Sequence, residues 1–160
     1  MTNNFRVAAL LIAFVSAATL AGAWFFQLVV GLSPCPLCLD QRIPYYVAVP
    51  LAIVVALAAD RKSIARAGFF ALALVLAIGC VLAIYHAGVE WKFWPGPQDC
   101  SGAVVELKGG SLLDQMNQTR VIRCDEAAWR LLGISLAGYN ALIAAVLTLF
   151  ALRMGIRKDS

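Results

Sequence analysis

The chain has 160 residues, of which 62% are hydrophobic and only 14% charged, and its mean hydropathy is +0.82. Soluble domains sit near half apolar and about a quarter charged, so this composition excludes an ordinary soluble enzyme. The net charge of +4 is spread over several loops and both ends, so it does not read as a nucleic-acid surface.

Four stretches carry no charged residue and no histidine: Val7–Val30, Ile43–Ala59, Ala67–Tyr85 and Leu131–Leu152. A helix needs about 20 apolar residues to cross a bilayer core, and a lone segment in lipid must satisfy its own backbone, which makes it helical. The expected fold is an all-α membrane protein. It is read as one membrane domain over residues 1–160, a bundle of four transmembrane helices over about 6–30, 37–59, 65–87 and 131–152, with a long loop over 88–130.

In chain order, the first helix begins after Arg6. Ala21-Gly22-Ala23 has the look of a signal-peptidase site, but the apolar run continues through Trp24, Phe25, Phe26 and Val29-Val30, so the segment is read as a retained helix. Gly31-Leu32-Ser33-Pro34 breaks it. The second helix starts near Leu37. Pro44 in its early turns costs little, whereas Pro50 predicts a kink. A basic turn, Asp60–Arg66, leads to the third helix, which Gly88 is expected to cap. In the loop, Trp94-Pro95-Gly96-Pro97 and Gly109-Gly110 are breaks. Ser111-Leu112-Leu113-Asp114 then looks like a capped helix start. With Met116 it gives a short helix whose apolar face suits the membrane surface.

Charge placement sets the orientation. The N-terminus, the Asp60–Arg66 turn and the C-terminus carry seven basic and two acidic residues. The opposite side carries six basic and seven acidic ones. Short basic loops stay in the cytoplasm, so both termini are expected inside and the 88–130 loop outside.

Five cysteines occur: Cys35, Cys38, Cys80, Cys100 and Cys124. Cys80 lies inside an apolar helix and reads as a packing residue. The other four fall on the outer side, where disulfides persist. They allow three connectivities, which spacing alone leaves open. Zinc would need four tetrahedral ligands; the second cysteine pair lacks a short metal-type spacing, so no metal is expected. Redox use of Cys35-Pro36-Leu37-Cys38 fits better. Cys38 falls in the first turn of a helix, whose dipole favours a thiolate, and Arg42 follows one turn later. His86, the only histidine, closes the third helix on the same side and can donate to a carbonyl-bearing cofactor.

This ordered set closely resembles the DsbB family of disulfide bond formation proteins: a CxxC, an Arg four residues on, one His ending helix three, then two loop cysteines. Tyr85-His86-Ala87-Gly88-Val89-Glu90-Trp91, Trp94-Pro95-Gly96-Pro97, Arg123-Cys124-Asp125-Glu126 and Gly133–Asn140 carry the same likeness over nearly the whole chain. Ser33-Pro34 and Pro36 depart from some members, and the loop cysteines stand closer together than in others. The resemblance implies an inner-membrane thiol oxidase that reoxidises a periplasmic thioredoxin-like protein of DsbA type and reduces ubiquinone or menaquinone. It implies that Cys100 forms the mixed disulfide with the partner, Cys124 resolves it, and Cys35 exchanges with Cys124. Cys38 then meets the quinone, which Arg42 and His86 hold.

Three rival readings fit the sequence less well. A vitamin-K-epoxide-reductase-like oxidase would place its loop pair before the CxxC, the reverse of the order here. A transmembrane electron importer would bury its cysteines for access from both sides. The rival of a different class is a non-enzymatic assembly protein with structural disulfides only.

Overall fold

The computed structural model describes residues 2–97 and 124–157; Cys100 and the expected loop helix at Ser111–Asn117 lie outside them. Its helices are α1 (Thr2–Leu28), α2 (Pro36–Asp40), α3 (Ile43–Leu57), α4 (Lys62–Glu90) and α5 (Leu136–Ile156). Four spans are long and apolar enough to cross a membrane: Asn3–Leu28, Pro36–Leu57, Lys62–Glu90 and Leu136–Ile156.

α3 packs between α1 and α4, and α5 packs along α4 with a lighter contact to α1. Alanines line these seams: Ala9, Ala48, Ala52, Ala59, Ala65, Ala144 and Ala151 are fully buried. Small side chains let helix backbones approach closely, which drives association where lipid removes any hydrophobic incentive. Phe5, Ile12, Phe69, Leu72 and Leu76 fill the space left over, with the Phe5 and Phe69 rings 5.8 Å apart. The outward faces carry large apolar side chains in the open: Phe14 is 71% exposed, Leu57 75% and Leu74 65%. A water-facing surface does not tolerate so continuous an apolar belt. The chain is a multi-pass membrane protein with a four-helix bundle.

The basic segments meet at one end of that bundle. Arg6 pairs with Asp60 at 3.4 Å across α1 and the α3–α4 turn, and Arg66 donates to the Arg157 carbonyl beyond α5. The CxxC, His86 and Cys124 gather in a second cluster apart from the main core.

Three local features differ from the sequence reading. The second helix is not continuous from 37 to 59: it is interrupted at Gln41-Arg42. Pro44 has no N–H for the Asp40 carbonyl, and its ring crowds that position. The backbone tightens instead, with Arg42 N–H donating to Leu39 at 3.0 Å, and α3 restarts with Pro44 in its first turn, where the missing donor costs nothing. Pro50 lies inside α3.

Gly88 does not cap the third helix, which runs on to Glu90. Its missing side chain makes room for the Trp94 ring, which a Cβ would strike. Trp94 Nε1 donates to the Tyr85 carbonyl at 2.9 Å, and the two rings stack. The cap is a Schellman motif: Phe93 N–H reaches the Gly88 carbonyl at 2.9 Å and Lys92 N–H the Val89 carbonyl at 3.0 Å. Lys92 occupies the left-handed position at φ 61°, which glycine takes without a steric cost. Lys92→Gly is therefore expected to stabilise the helix end by about 1 kcal/mol, read as a raised unfolding midpoint in detergent.

The fourth helix begins at Leu136 rather than 131. Arg130–Leu131 pairs antiparallel with Ile134–Ser135 through a two-residue turn, Leu132 (φ 50°) and Gly133 (φ 82°). Positive φ at both positions is the primed turn that suits strand twist. Ser135 then caps α5, its Oγ accepting from Gly138 N–H at 3.1 Å.

Candidate active site

The site begins with the cap of α2. Cys35 is the N-cap, and its sulfur accepts the Cys38 N–H at 3.2 Å, the role a serine oxygen commonly plays. Pro36 stands in the first turn, with its φ already helical. This turn brings the two sulfurs to 2.7 Å, so disulfide and dithiol interconvert with little backbone movement. Cys35 is buried, and Cys38 is half-buried. The hydrogen bond to Cys38 raises the Cys35 thiol pKa well above its ordinary value, and burial adds to it. In reduced protein, alkylation should therefore tag Cys38 before Cys35. In fully reduced Cys80→Ala protein, Cys35 should stay slow to react even at pH 9, as mass spectrometry of timed quenches with peptide mapping would show.

Leu37, Val89 and Cys124 close over Cys35 in one buried cluster, with Cys38 and Tyr85 at its edge. Cys124 is 1% exposed and disulfide-bonded. Its predicted mate Cys100 lies outside the described residues. The fold thus sets a cysteine 89 positions on against the CxxC.

His86 from α4 enters the same cluster. Its Nε2 is 3.6 Å from the Cys35 sulfur and 3.8 Å from Glu90 Oε1, and the ring also hydrogen-bonds the Cys124 backbone. Behind it runs a polar chain that the sequence reading missed. Gln41 Nε2 is 2.5 Å from His86 Nδ1, Asn140 Nδ2 donates to Gln41 Oε1 at 2.6 Å, and the Tyr45 hydroxyl donates to Asn140 Oδ1 at 2.6 Å. Asn140 was visible as an amide in a charge-free span, where polar side chains are expensive and usually partnered. Glu90 was missed as well. Its side chain is 6% exposed and within reach of the Ser135 hydroxyl, while Oε2 finds no partner among the described residues.

Arg42 does not continue the Cys38 helix. The break at Gln41-Arg42 makes it the residue before α3, and it turns toward α1, where Nη1 donates to Gln27 Oε1 at 2.7 Å. Its guanidinium lies 5.2 Å from the centre of the Trp24 ring, and Trp24 Nε1 donates to the Tyr46 hydroxyl at 2.9 Å. The Cys38 sulfur lies within electrostatic reach of both Arg42 and Glu90. Arg42 is buried, yet Trp24 is 42% exposed on the apolar surface. This half of the site therefore opens toward lipid. Cys80 stands apart, its thiol 3.7 Å from the Ala141 carbonyl between α4 and α5.

Cys35, Cys38 and His86 bring ligand atoms within 4.8 Å of one another, one short of the four that structural zinc takes. An open cleft of about 420 Å³ borders the cluster, lined by Val89, Lys92, Phe93, Trp94, Pro95, Gly96 and Asp125.

Comparison with known proteins agrees with this geometry. The family model described as Disulfide bond formation protein DsbB matches residues 5–154. Disulfide bond formation protein B of Xanthomonas campestris pv. campestris (strain 8004) is 30% identical, over 96% of this chain and 92% of its own. The protein of the same name from Marinobacter nauticus is 28% identical, over 94% and 91%. An uncharacterized protein of Rickettsia prowazekii, RP370, is 24% identical, over 92% and 86%. No solved structure matches. A closely spaced cysteine pair, one member buried and the other half-buried, with a third cysteine packed on it, in a chain matched over residues 5–154, fits the chemistry of disulfide formation: the protein belongs to the DsbB family of disulfide-forming membrane oxidoreductases.

Proposed function

We propose that this oxidoreductase works at the periplasmic face of the bacterial inner membrane, both termini in the cytoplasm. There it reoxidises a thioredoxin-like partner of DsbA type and delivers the electrons to ubiquinone or menaquinone. The observation that carries the reading is the packing of Cys124 and Cys35 in one buried cluster with Cys38 beside them. Such an arrangement joins a protein-facing disulfide to a membrane-facing one. The basic ends that meet away from this cluster fit a cytoplasmic side.

In this reading a thiolate of the reduced partner attacks Cys100, and the Cys100–Cys124 bond breaks to leave a mixed disulfide and a Cys124 thiolate. The partner's second thiolate closes its own disulfide and releases Cys100. Cys124 attacks Cys35, the Cys35–Cys38 bond breaks, and Cys38 leaves as a thiolate. Attack of Cys100 on Cys124 restores the loop disulfide and frees Cys35. Each exchange conserves electrons and follows relative potentials. The residues that face lipid fit a planar carbonyl-bearing ring. Trp24 offers an exposed aromatic face, and among the described residues Arg42 spends only one hydrogen bond, on Gln27. A bound quinone would supply the two-electron sink. Arg42 would hold one end of it and offset negative charge, and His86 would donate a hydrogen bond.

The test is direct. Protein in detergent is mixed with a reduced thioredoxin-like partner and a water-soluble quinone, and quinone absorbance is followed. Catalytic loss of absorbance with matching loss of partner thiols is expected. Thiol oxidation without quinone reduction would overturn the quinone assignment, and no oxidation of the partner would overturn the partner assignment.

A further inference from the structure

We propose that Tyr45, Asn140 and Gln41 are positioning residues that hold His86 in the tautomer with its proton on Nε2, so that one fixed donor points into the cysteine cluster. The purpose of that donor rests on the thiol-oxidase reading above; its existence does not.

The chain crosses four elements: Tyr45 on α3, Asn140 on α5, Gln41 at the end of α2 and His86 on α4. Its three links are 2.6, 2.6 and 2.5 Å long. Two amides in series can be drawn in either sense, and the ends decide which. The Tyr45 side is buried, and Asn140 Oδ1 is the acceptor found for its hydroxyl among the described residues. A buried hydroxyl proton without an acceptor is costly, so Asn140 turns its oxygen to Tyr45 and its NH2 to Gln41. Gln41 then accepts through Oε1 and must present its own NH2 to His86 Nδ1. A nitrogen that faces a donor is the bare one, so the ring proton sits on Nε2.

The far end agrees independently. Nε2 faces the Cys35 sulfur, whose own proton is donated to Cys38, and the Glu90 carboxyl. These are acceptors. A bare Nε2 would set lone pair against lone pair there, while Nδ1–H would oppose the Gln41 NH2. One sense of the chain satisfies both ends. Outer partners that fix an imidazole tautomer are a known way to tune a site, and here the device spans the bundle. It also leaves Nε2 unable to ligate a metal without reversal of the whole chain.

His86 is the only histidine, so 15N-histidine labelling gives a spectrum of this ring alone, with no quinone or partner present. The wild type is expected to show one-bond N–H coupling on Nε2 and none on Nδ1. Coupling on Nδ1, alone or together with Nε2, would overturn the assignment. Asn140→Asp at pH 8 accepts from both neighbours, which forces Gln41 to turn its oxygen to the ring. The proton should move to Nδ1 and the two nitrogen shifts exchange places; an unmoved proton would show that the chain does not act through Asn140. Should that variant not fold, Gln41→Glu sets an acceptor directly against Nδ1 and carries the same expectation. Inversion should also lower turnover about tenfold, the usual cost of an outer partner; inverted nitrogens with unchanged turnover would remove the positioning role.

Discussion

Cys38→Ser is expected to reduce quinone-linked thiol oxidation to background, a loss of at least about 10³-fold, because residues that act as a unit fail together. The change is nearly isosteric, and the bond that caps α2 survives it, since that bond runs from the backbone N–H at position 38 to the Cys35 sulfur. The fold should hold. What disappears is the sulfur 2.7 Å from Cys35, without which no disulfide can close at the membrane edge. Cys35 is left with Cys124 as the cysteine packed nearest it in the buried cluster, so the variant should trap a Cys35–Cys124 bridge. Non-reducing peptide mapping would detect it. Turnover that persists at the wild-type level would sink the assignment of Cys38 as the terminal thiolate. Cys80→Ala is the matched control and should keep activity, because its thiol only reaches a carbonyl between α4 and α5.

The second large effect is expected at Arg42. Arg42→Met removes the buried cation that lies beside the exposed Trp24 face and leaves Gln27 without this donor. Loss of a single group that stabilises developing negative charge costs about 10²–10³ in rate, so kcat/KM for quinone should fall by that order. Arg42→Lys keeps the charge but loses the planar fork and the stacking on Trp24, and should recover part of the loss. The first exchange with the partner, measured in a single turnover without quinone, should be unchanged. A loss confined to that exchange would assign Arg42 to partner binding instead. The lost Gln27 bond should cost about 1 kcal/mol of stability, too little to mimic the kinetic effect.

The two halves of this site were unequally legible. Spacing placed Cys35 and Cys38 together, because three residues at a helix start cannot place them far apart. Arg42 was expected one helical turn from Cys38, with Pro44 taken to cost little, but Pro44 ends the short α2 and turns the Arg42 side chain toward α1. Gln41 and Tyr45 carry no sequence signal, and Asn140 stands only at the end of the Gly133–Asn140 likeness with no role attached, although an asparagine in a lipid-spanning stretch is itself a signal. Their meaning depends on an encounter between residues 99 positions apart, and no local pattern encodes that. Glu90 lies within the Tyr85–Trp91 likeness with no role attached, since its burial becomes visible only once α4 is seen to run past Gly88 to meet Ser135.

Composition and charge placement by themselves determined the membrane class, the four spans and the separation of a basic end from a cysteine-bearing one. Those properties follow from transfer free energies, which add along the chain residue by residue. The order of the cysteines, Arg42 and His86 pointed to the chemistry. Only the tertiary structure decided that Cys124 packs on Cys35, that Arg42 lies over Trp24, and that a line of hydrogen bonds sets the proton of His86. Such contacts depend on how four helices rotate and pack against one another. Small side chains at the seams and prolines at the breaks govern that rotation jointly, and it is not a sum over single residues.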